Sequence, residues 1–230
     1  MNLEELENKH LNKDCVILTC GPSLVEYPKE VIEKFCQDKI VICVKEAVLE
    51  FQDICNYHII NATRMRPYNI KKDIIRIIQA NRFISQQQLD TYDYYFKEVN
   101  GFNPNCRLLI KKNYHDFNIK NNKDRQWGPG ILYETVFYLC LYMGIKNVYT
   151  VGWDLIDTSK TAHITHYFEK TNNSIYNKSV RWRNFDFRSE MDMVNNNIPS
   201  MCDYFKSQGM NLTVVGNKSF VNREIPRITL

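Results

Sequence analysis

The sequence predicts an α/β protein with a mostly parallel sheet flanked by helices, and three stretches carry that expectation. Cys15–Thr19 (CVILT) is a compact apolar strand that runs straight into Cys20-Gly21-Pro22-Ser23-Leu24, a turn, and then a charge-rich helix through Phe35. Strand, glycine turn and helix in that order open nucleotide-binding α/β domains. Trp127–Asp154 (WGPGILYETVFYLCLYMGIKNVYTVGWD) reads as a glycine-opened helix buried over much of its circumference, a turn at Gly144, a core strand over Asn147–Val151, and a sharp turn. That turn, Gly152-Trp153-Asp154, delivers a carboxylate at the strand's carboxyl end, where open α/β sheets bind ligands. Leu212–Val215 (LTVV) closes the pattern as a last strand before Gly216-Asn217-Lys218-Ser219-Phe220.

The remaining elements follow in order. Gly21 can bring backbone close to a ligand, and Ser23 either caps the following helix or holds a phosphate oxygen. Lys39–Val44 is a second strand and Glu46–Phe51 a short helix. Tyr57–Ile60 is a third strand ending at Asn61, which is a turn residue or a reader of a base or sugar hydroxyl. Ile70–Ile78 alternates basic residues with isoleucine at helical spacing, and Phe83–Ser85 reads as a short strand. From Gln86 to Arg125 aromatic residues sit among Asn, Lys and Asp without a clean period, which predicts loop and short helix, with an edge strand at Arg107–Ile110. Leu155–Ser189 is long, polar and irregular; immediately after the strand end that carries Asp154, it reads as a lid. Glu190–Ser207 is a helix.

Bulk properties narrow the classes. At 230 residues, 44% hydrophobic and 24% charged, the chain is expected to form one globular domain over 1–230. A net charge of +4 is too mild to argue for a nucleic-acid partner, and the apolar runs break well before a membrane span's length. MNLEELENKH is too polar for a signal peptide. Eight cysteines without a C-x-x-C pair support neither zinc nor a disulfide framework, so reduced thiols in a cytoplasmic protein are expected. Neither G-x-G-x-x-G nor a Walker A sequence is present.

Three segments together resemble the single-domain bacterial sialyltransferases and the sialyltransferase-like proteins of bacteria and phages. Strand–CGPSL at 20–24 is similar to the family's strand–GNGPSL. GPGILYETVFYLCLYMGIKNVYTVGWD is similar in layout to TSG–helix–ALGYKEIYLSGID, and LTVVGNKSF at 212–220 is similar to the closing strand and N-S-L turn. Asn61 matches an asparagine that contacts the donor in that family.

The resemblance implies a Rossmann-like, GT-A-type single domain that binds a CMP-activated acidic sugar without a metal or other cofactor. No Asp-x-Asp metal motif is present, and a nucleoside-monophosphate leaving group needs less charge neutralisation than a diphosphate. The implied activity is an inverting transfer of a sialic-acid-like (nonulosonic) sugar to a glycan hydroxyl. Donor contacts carry over to Cys20, Gly21, Pro22, Ser23, Asn61, Gly128, Pro129, Gly130, Gly152, Trp153 and Asp154. Relatives assemble through their own surfaces and work at the inner membrane face, so a homo-oligomer and a peripheral membrane contact are the partners implied.

The departures from the family pattern bear on catalysis. Cys20 stands where the family has asparagine, and Gly128-Pro129-Gly130 where it has Thr-Ser-Gly. Its two phosphate-steadying tyrosines are matched by Ile156 and Ala162, leaving His163, His166, Tyr167 and Tyr176 as replacements. Its catalytic-base histidine is matched by Ser189-Glu190-Met191-Asp192. A base near working pH must take the acceptor hydroxyl's proton, and His166 is the first choice, then His163. Asp192 and Glu190 are bases after partial burial, or helix N-terminal charges. Arg181 and Arg183, with Arg188 in the same basic run, either hold an anionic group or form a solvated face. Asp154 either binds a ribose hydroxyl or fixes its own turn. Two other readings compete: a pyrophosphokinase-type nucleotide enzyme on the same scaffold, and a nucleotide- or glycan-binding protein without catalysis.

Overall fold

The computed structural model describes residues 2–62, 68–99, 112–126, 130–155 and 187–230. Its strands are β1 (Asp14–Leu18), β2 (Ile40–Val44), β3 (Tyr57–Asn61), β4 (Ile75–Ala80), β5 (Tyr94–Val99), β6 (Arg125–Gln126), β7 (Asn147–Val151), β8 (Asn211–Val215) and β9 (Arg227–Ile228). They form one sheet in the order β6-β5-β4-β3-β2-β1-β7-β8-β9. Every pairing is parallel, with Cys15 opposite Ile40 on one side and Val148 on the other.

Helices are α1 (Lys29–Cys36), α2 (Ala47–Phe51), α3 (Gln86–Leu89), α4 (Phe137–Tyr142) and α5 (Phe187–Ser207). Alternate residues of β1 feed two cores. Cys15 and Ile17 pack under α4 and α5 with Phe137, Leu139, Ile198 and Phe205. Val16 and Leu18 pack on the other face with Ile32, Cys36, Val48 and Phe51 of α1 and α2. The period-2 pleat makes this division, and helices on both faces explain why Cys15–Leu18 and Ile40–Val44 are apolar throughout. This is a Rossmann-like α/β fold.

Several expectations are corrected. Ile70–Ile78 is not helical: Ile75–Ala80 is β4, because isoleucines at this spacing also suit a strand buried on both faces, and pairing with both β3 and β5 decides it. Phe83–Ser85 is not a strand: Phe83 is exposed, and Ser85 caps α3 in a capping box with Gln88. Within the stretch read as loop lies β5, where Tyr94 and Phe96 are buried and Tyr95 and Lys97 exposed. The helix expected after the Cys20–Leu24 turn begins only at Lys29; Pro22–Val25 is a 3₁₀ turn, and Pro28 precedes α1 as its cap. The buried helix of the central stretch opens as a π-helix over Leu132–Val136 before becoming α4. Arg107–Ile110 and the lid-like loop, apart from its two ends, lie outside the described residues.

Helix α5 contains Pro199, which cannot donate to the carbonyl of Asn195 four residues earlier. The Asn222 side chain supplies the missing donor (Nδ2 to Asn195 O, 3.3 Å), while the Asn222 backbone N–H donates to Asn195 Oδ1 at 2.7 Å. A proline in mid-helix thereby anchors the loop after β8. Among the described residues the cysteines carry no disulfide, and no helix is long and apolar enough to cross a membrane.

Candidate functional site

Because all strands run one way, their carboxyl ends share one edge of the sheet. The chain winds outward from β1 through β2 to β6, then returns to place β7 on the other side of β1. That change of direction is where open α/β sheets leave a crevice between adjacent strand ends. The two turns flanking it are Cys20–Ser23 after β1 and Gly152–Asp154 after β7.

The two turns touch. Gly21 N donates to Gly152 O at 3.0 Å. A Cβ on Gly21 would fall on that carbonyl oxygen and lie 2.6 Å from Asp154 Oδ2, so only glycine allows the approach. Asp154 accepts from Ser23 N at 2.6 Å and from Ser23 Oγ at 2.7 Å. Both groups that the sequence offers to a nucleotide thus meet each other. Burial raises the Asp154 carboxyl above its ordinary range, and the Ser23 and Ser219 hydrogen bonds pull it partly back.

Trp153, 1% exposed, links this pair to the head of the central helix. Its indole Nε1 donates to Tyr133 Oη at 2.9 Å, and Tyr133 N donates to Gly130 O at 2.9 Å. Its carbonyl accepts from the Ser219 hydroxyl after β8. Gly130 N in turn donates to Glu134 Oε1 at 2.9 Å, and Gln79 Nε2 from β4 donates to Glu134 Oε2 at 2.7 Å. Thr135 Oγ1 closes the network on Gln79 Oε1. π-Helical turns of this kind cluster at functional sites. Gly21, Gly152 and Gly130 are therefore joined by one chain of hydrogen bonds along the carboxyl edge.

On the β2 side, Cys20 donates its thiol to Val44 O at 3.2 Å and lies 3.6 Å from Glu46 Oε2. Burial, with the Glu46 charge, pushes that thiol up to about 12, so it is a neutral donor and no nucleophile. Lys45 has φ +54°, held by Lys45 N to Ile59 O (2.9 Å) and by His58 Nε2 to Lys45 O (2.9 Å). Burial lowers His58 to about 4, which keeps the imidazole neutral. Asn61 ends β3 in register with Gln79.

Of the residues singled out in the sequence, Cys20, Gly21, Pro22, Ser23, Asn61, Gly130, Gly152, Trp153 and Asp154 lie at this edge or in the turns and helix head on it. Gly128, Pro129, His163, His166, Tyr167, Tyr176, Arg181 and Arg183 lie outside the described residues. Glu190 falls in the first turn of α5, and Asp192 on α5 is exposed. Glu134, Gln79, Glu46 and Lys45 were passed over. Glu134 alone left a signal, as the one charged residue in the apolar run Ile131–Met143. Among the described residues no three His, Cys, Asp or Glu side chains are grouped to hold a metal ion.

No family model matches the chain, and no curated protein matches it. Among solved structures it aligns with the MAf glycosyltransferase of Magnetospirillum magneticum AMB-1, with TM-score 0.55 and 10% identity, over 96% of this chain and 34% of that one. The two share a fold, and the present chain spans about a third of that protein's length. The sialyltransferase CstII of Campylobacter jejuni, solved in complex with a substrate analogue, cytidine-5'-monophosphate, aligns with TM-score 0.46 and 13% identity over 94% of this chain and 85% of that one. That alignment is too loose to bear on function.

Proposed function

We propose that the chain is a metal-independent inverting glycosyltransferase that moves a sialic-acid-like sugar from a CMP donor to a glycan hydroxyl. The observation that carries this reading is the junction at the β1/β7 strand ends, where the Gly21 and Gly152 turns meet beside the Gly130 helix head. Those are the three places that the resemblance to bacterial sialyltransferases makes donor-binding. The Rossmann-like fold, shared with a protein described as a glycosyltransferase, is compatible with it.

In this reading the CMP moiety lies across the crevice between the Cys20–Ser23 turn and Asn61, and the Ser23 amide and hydroxyl reach it by leaving Asp154. The acceptor hydroxyl loses its proton as it attacks the anomeric carbon. His166 is assigned as the base, with His163, Glu190 and Asp192 as the other residues able to take that proton. Tyr167, Tyr176, Arg181 and Arg183 are assigned to the leaving phosphate and the sugar carboxylate.

The test is thermal unfolding with CMP, CDP and ATP, each with chelator or Mg²⁺, followed by a CMP-sugar turnover assay. CMP stabilisation in chelator with donor turnover is the expected pattern. Stabilisation only by ATP or CDP with Mg²⁺ points to pyrophosphokinase-type chemistry, and CMP binding without turnover to a binding protein.

A further inference from the structure

The turn after β8 holds an anion already, and it belongs to the protein. Asn217 N donates to Glu26 Oε1 and Lys218 N to Glu26 Oε2, both at 3.1 Å. Successive backbone amides gripping two oxygens of one anion form a nest. Gly216 opens it at φ +96°, and a Cβ there would sit 2.5 Å from Glu26 Oε2, so the backbone is shaped around that oxygen. Glu26 follows directly on the Pro22–Val25 turn, which places the nest beside the Ser23–Asp154 pair.

The surroundings offer more than a carboxylate uses. Arg227 of β9 donates through Nη1 to Gly216 O at 3.3 Å and through Nη2 to Val221 O. Its Nε is buried and has no partner. Arg223 Nη2 donates to Asn217 O at 3.1 Å and brings a second guanidinium to the turn. Glu26 and Asp154 both lie close enough to Arg227 to act on it electrostatically. Glu26 has two oxygens, and the two amides engage both. A phosphate carries more oxygens and more charge, which suits the two guanidiniums, Arg223 and Arg227, already bonded to this turn.

We propose that the Gly216–Lys218 turn is a phosphate subsite of the strand-end crevice, made by the Asn217 and Lys218 amides and Arg227, with Glu26 as a resident stand-in that a ligand phosphate displaces. The subsite rests on the reading of this edge as nucleotide-binding, but its probe need not be a nucleotide. Glu26 lowers apparent affinity by occupying the nest, because a ligand sees only the fraction of molecules in which the nest is open.

The experiment titrates the full chain with inorganic phosphate, with CMP and with free N-acetylneuraminic acid, following amide shifts of Asn217 and Lys218. Glu26→Gln, with its negative charge gone, is expected to bind phosphate about tenfold more tightly. Arg227→Gln is expected to lose about tenfold, and Arg227→Lys, which keeps the charge, to lose less. Thermal unfolding establishes that each variant is folded. Tightening for CMP as well assigns the subsite to a nucleotide phosphate, and tightening for inorganic phosphate alone assigns it to the free ion. Unchanged or weaker phosphate binding in folded Glu26→Gln overturns the proposal, as does a response to the sugar acid alone. Phosphate binding without sugar transfer leaves the subsite standing and removes the glycosyltransferase reading.

Discussion

Asp154 and Ser23, 131 residues apart in sequence, are joined twice: the carboxylate accepts the Ser23 amide at 2.6 Å and the Ser23 hydroxyl at 2.7 Å. This clasp welds the turn after β7 to the turn after β1. Burial raises the folded carboxyl above its ordinary value of 3.8, so the folded chain holds that proton more tightly than the unfolded chain does. Asp154's contribution is therefore full below 3.8 and declines as pH climbs through the raised value. Asp154→Asn, which cannot titrate, should stay within about 1 kcal/mol of wild type at neutral pH and should gain on it as pH rises. Asp154→Ala strands both Ser23 donors and should cost about 1–3 kcal/mol. Urea unfolding at several pH values checks both; a wild type that gains on Asp154→Asn as pH rises contradicts the assignment.

His58 gives a pH dependence of opposite sign. Burial holds the folded imidazole near 4, against an ordinary 6.5, while its Nε2–H serves the Lys45 carbonyl at 2.9 Å. A depressed histidine favours the folded state above pH 6.5 and loses that advantage as pH falls from 6.5 toward 4. The loss is at most about 3 kcal/mol. His58→Gln keeps a donor without a titrating ring and should flatten that part of the stability–pH curve. An unaltered curve in a folded variant would show that some other group is responsible.

Trp153 and Tyr133 form a buried pair through Nε1–H to Oη at 2.9 Å. Trp153→Phe leaves the Tyr133 hydroxyl without that donor and removes buried volume, for a cost of roughly 2–4 kcal/mol. Tyr133→Phe orphans the indole N–H instead. The double variant should cost less than the sum of the two, by about 0.5–2 kcal/mol. Strict additivity would mean the hydrogen bond contributes nothing.

How much of this was legible in the sequence depends on where the signal lies. β1, β2, β3, β7 and β8 carry apolar residues on both faces because parallel pairing between helix layers buries both, and all five were read to within a residue or so at their ends. β4 was mistaken for a helix because its isoleucines satisfy two periods at once. β5 alternates buried and exposed residues over Tyr94–Lys97, yet the polar neighbours of this stretch concealed it. The glycine turns of the site were visible as local patterns. Their partners were not: Ser23 to Asp154 spans 131 residues and Glu26 to Asn217 spans 191, and no local rule joins such pairs.

Glu134 tests whether the buried network sets the helix head. Its two oxygens serve the Gly130 amide and the Gln79 side chain at 2.9 and 2.7 Å. Glu134→Gln turns an acceptor into a donor against one of them and should cost about 1–3 kcal/mol. The same variant should weaken CMP binding several-fold through the displaced Gly130 turn. Calorimetric titration separates the two effects, since a lowered melting temperature with unchanged CMP affinity would confine Glu134 to stability.

The central claim is that CMP binds where the β1 and β7 turns meet. Its most direct test follows backbone amide resonances of the full chain during a CMP titration in chelator. The largest shifts should fall on Cys20, Gly21, Asn61, Gly130 and Gly152, with the amino-terminal ends of the strands around Gly144 and Gly209 silent. Shifts centred on Gly144 and Gly209, or none at millimolar CMP, would contradict the account.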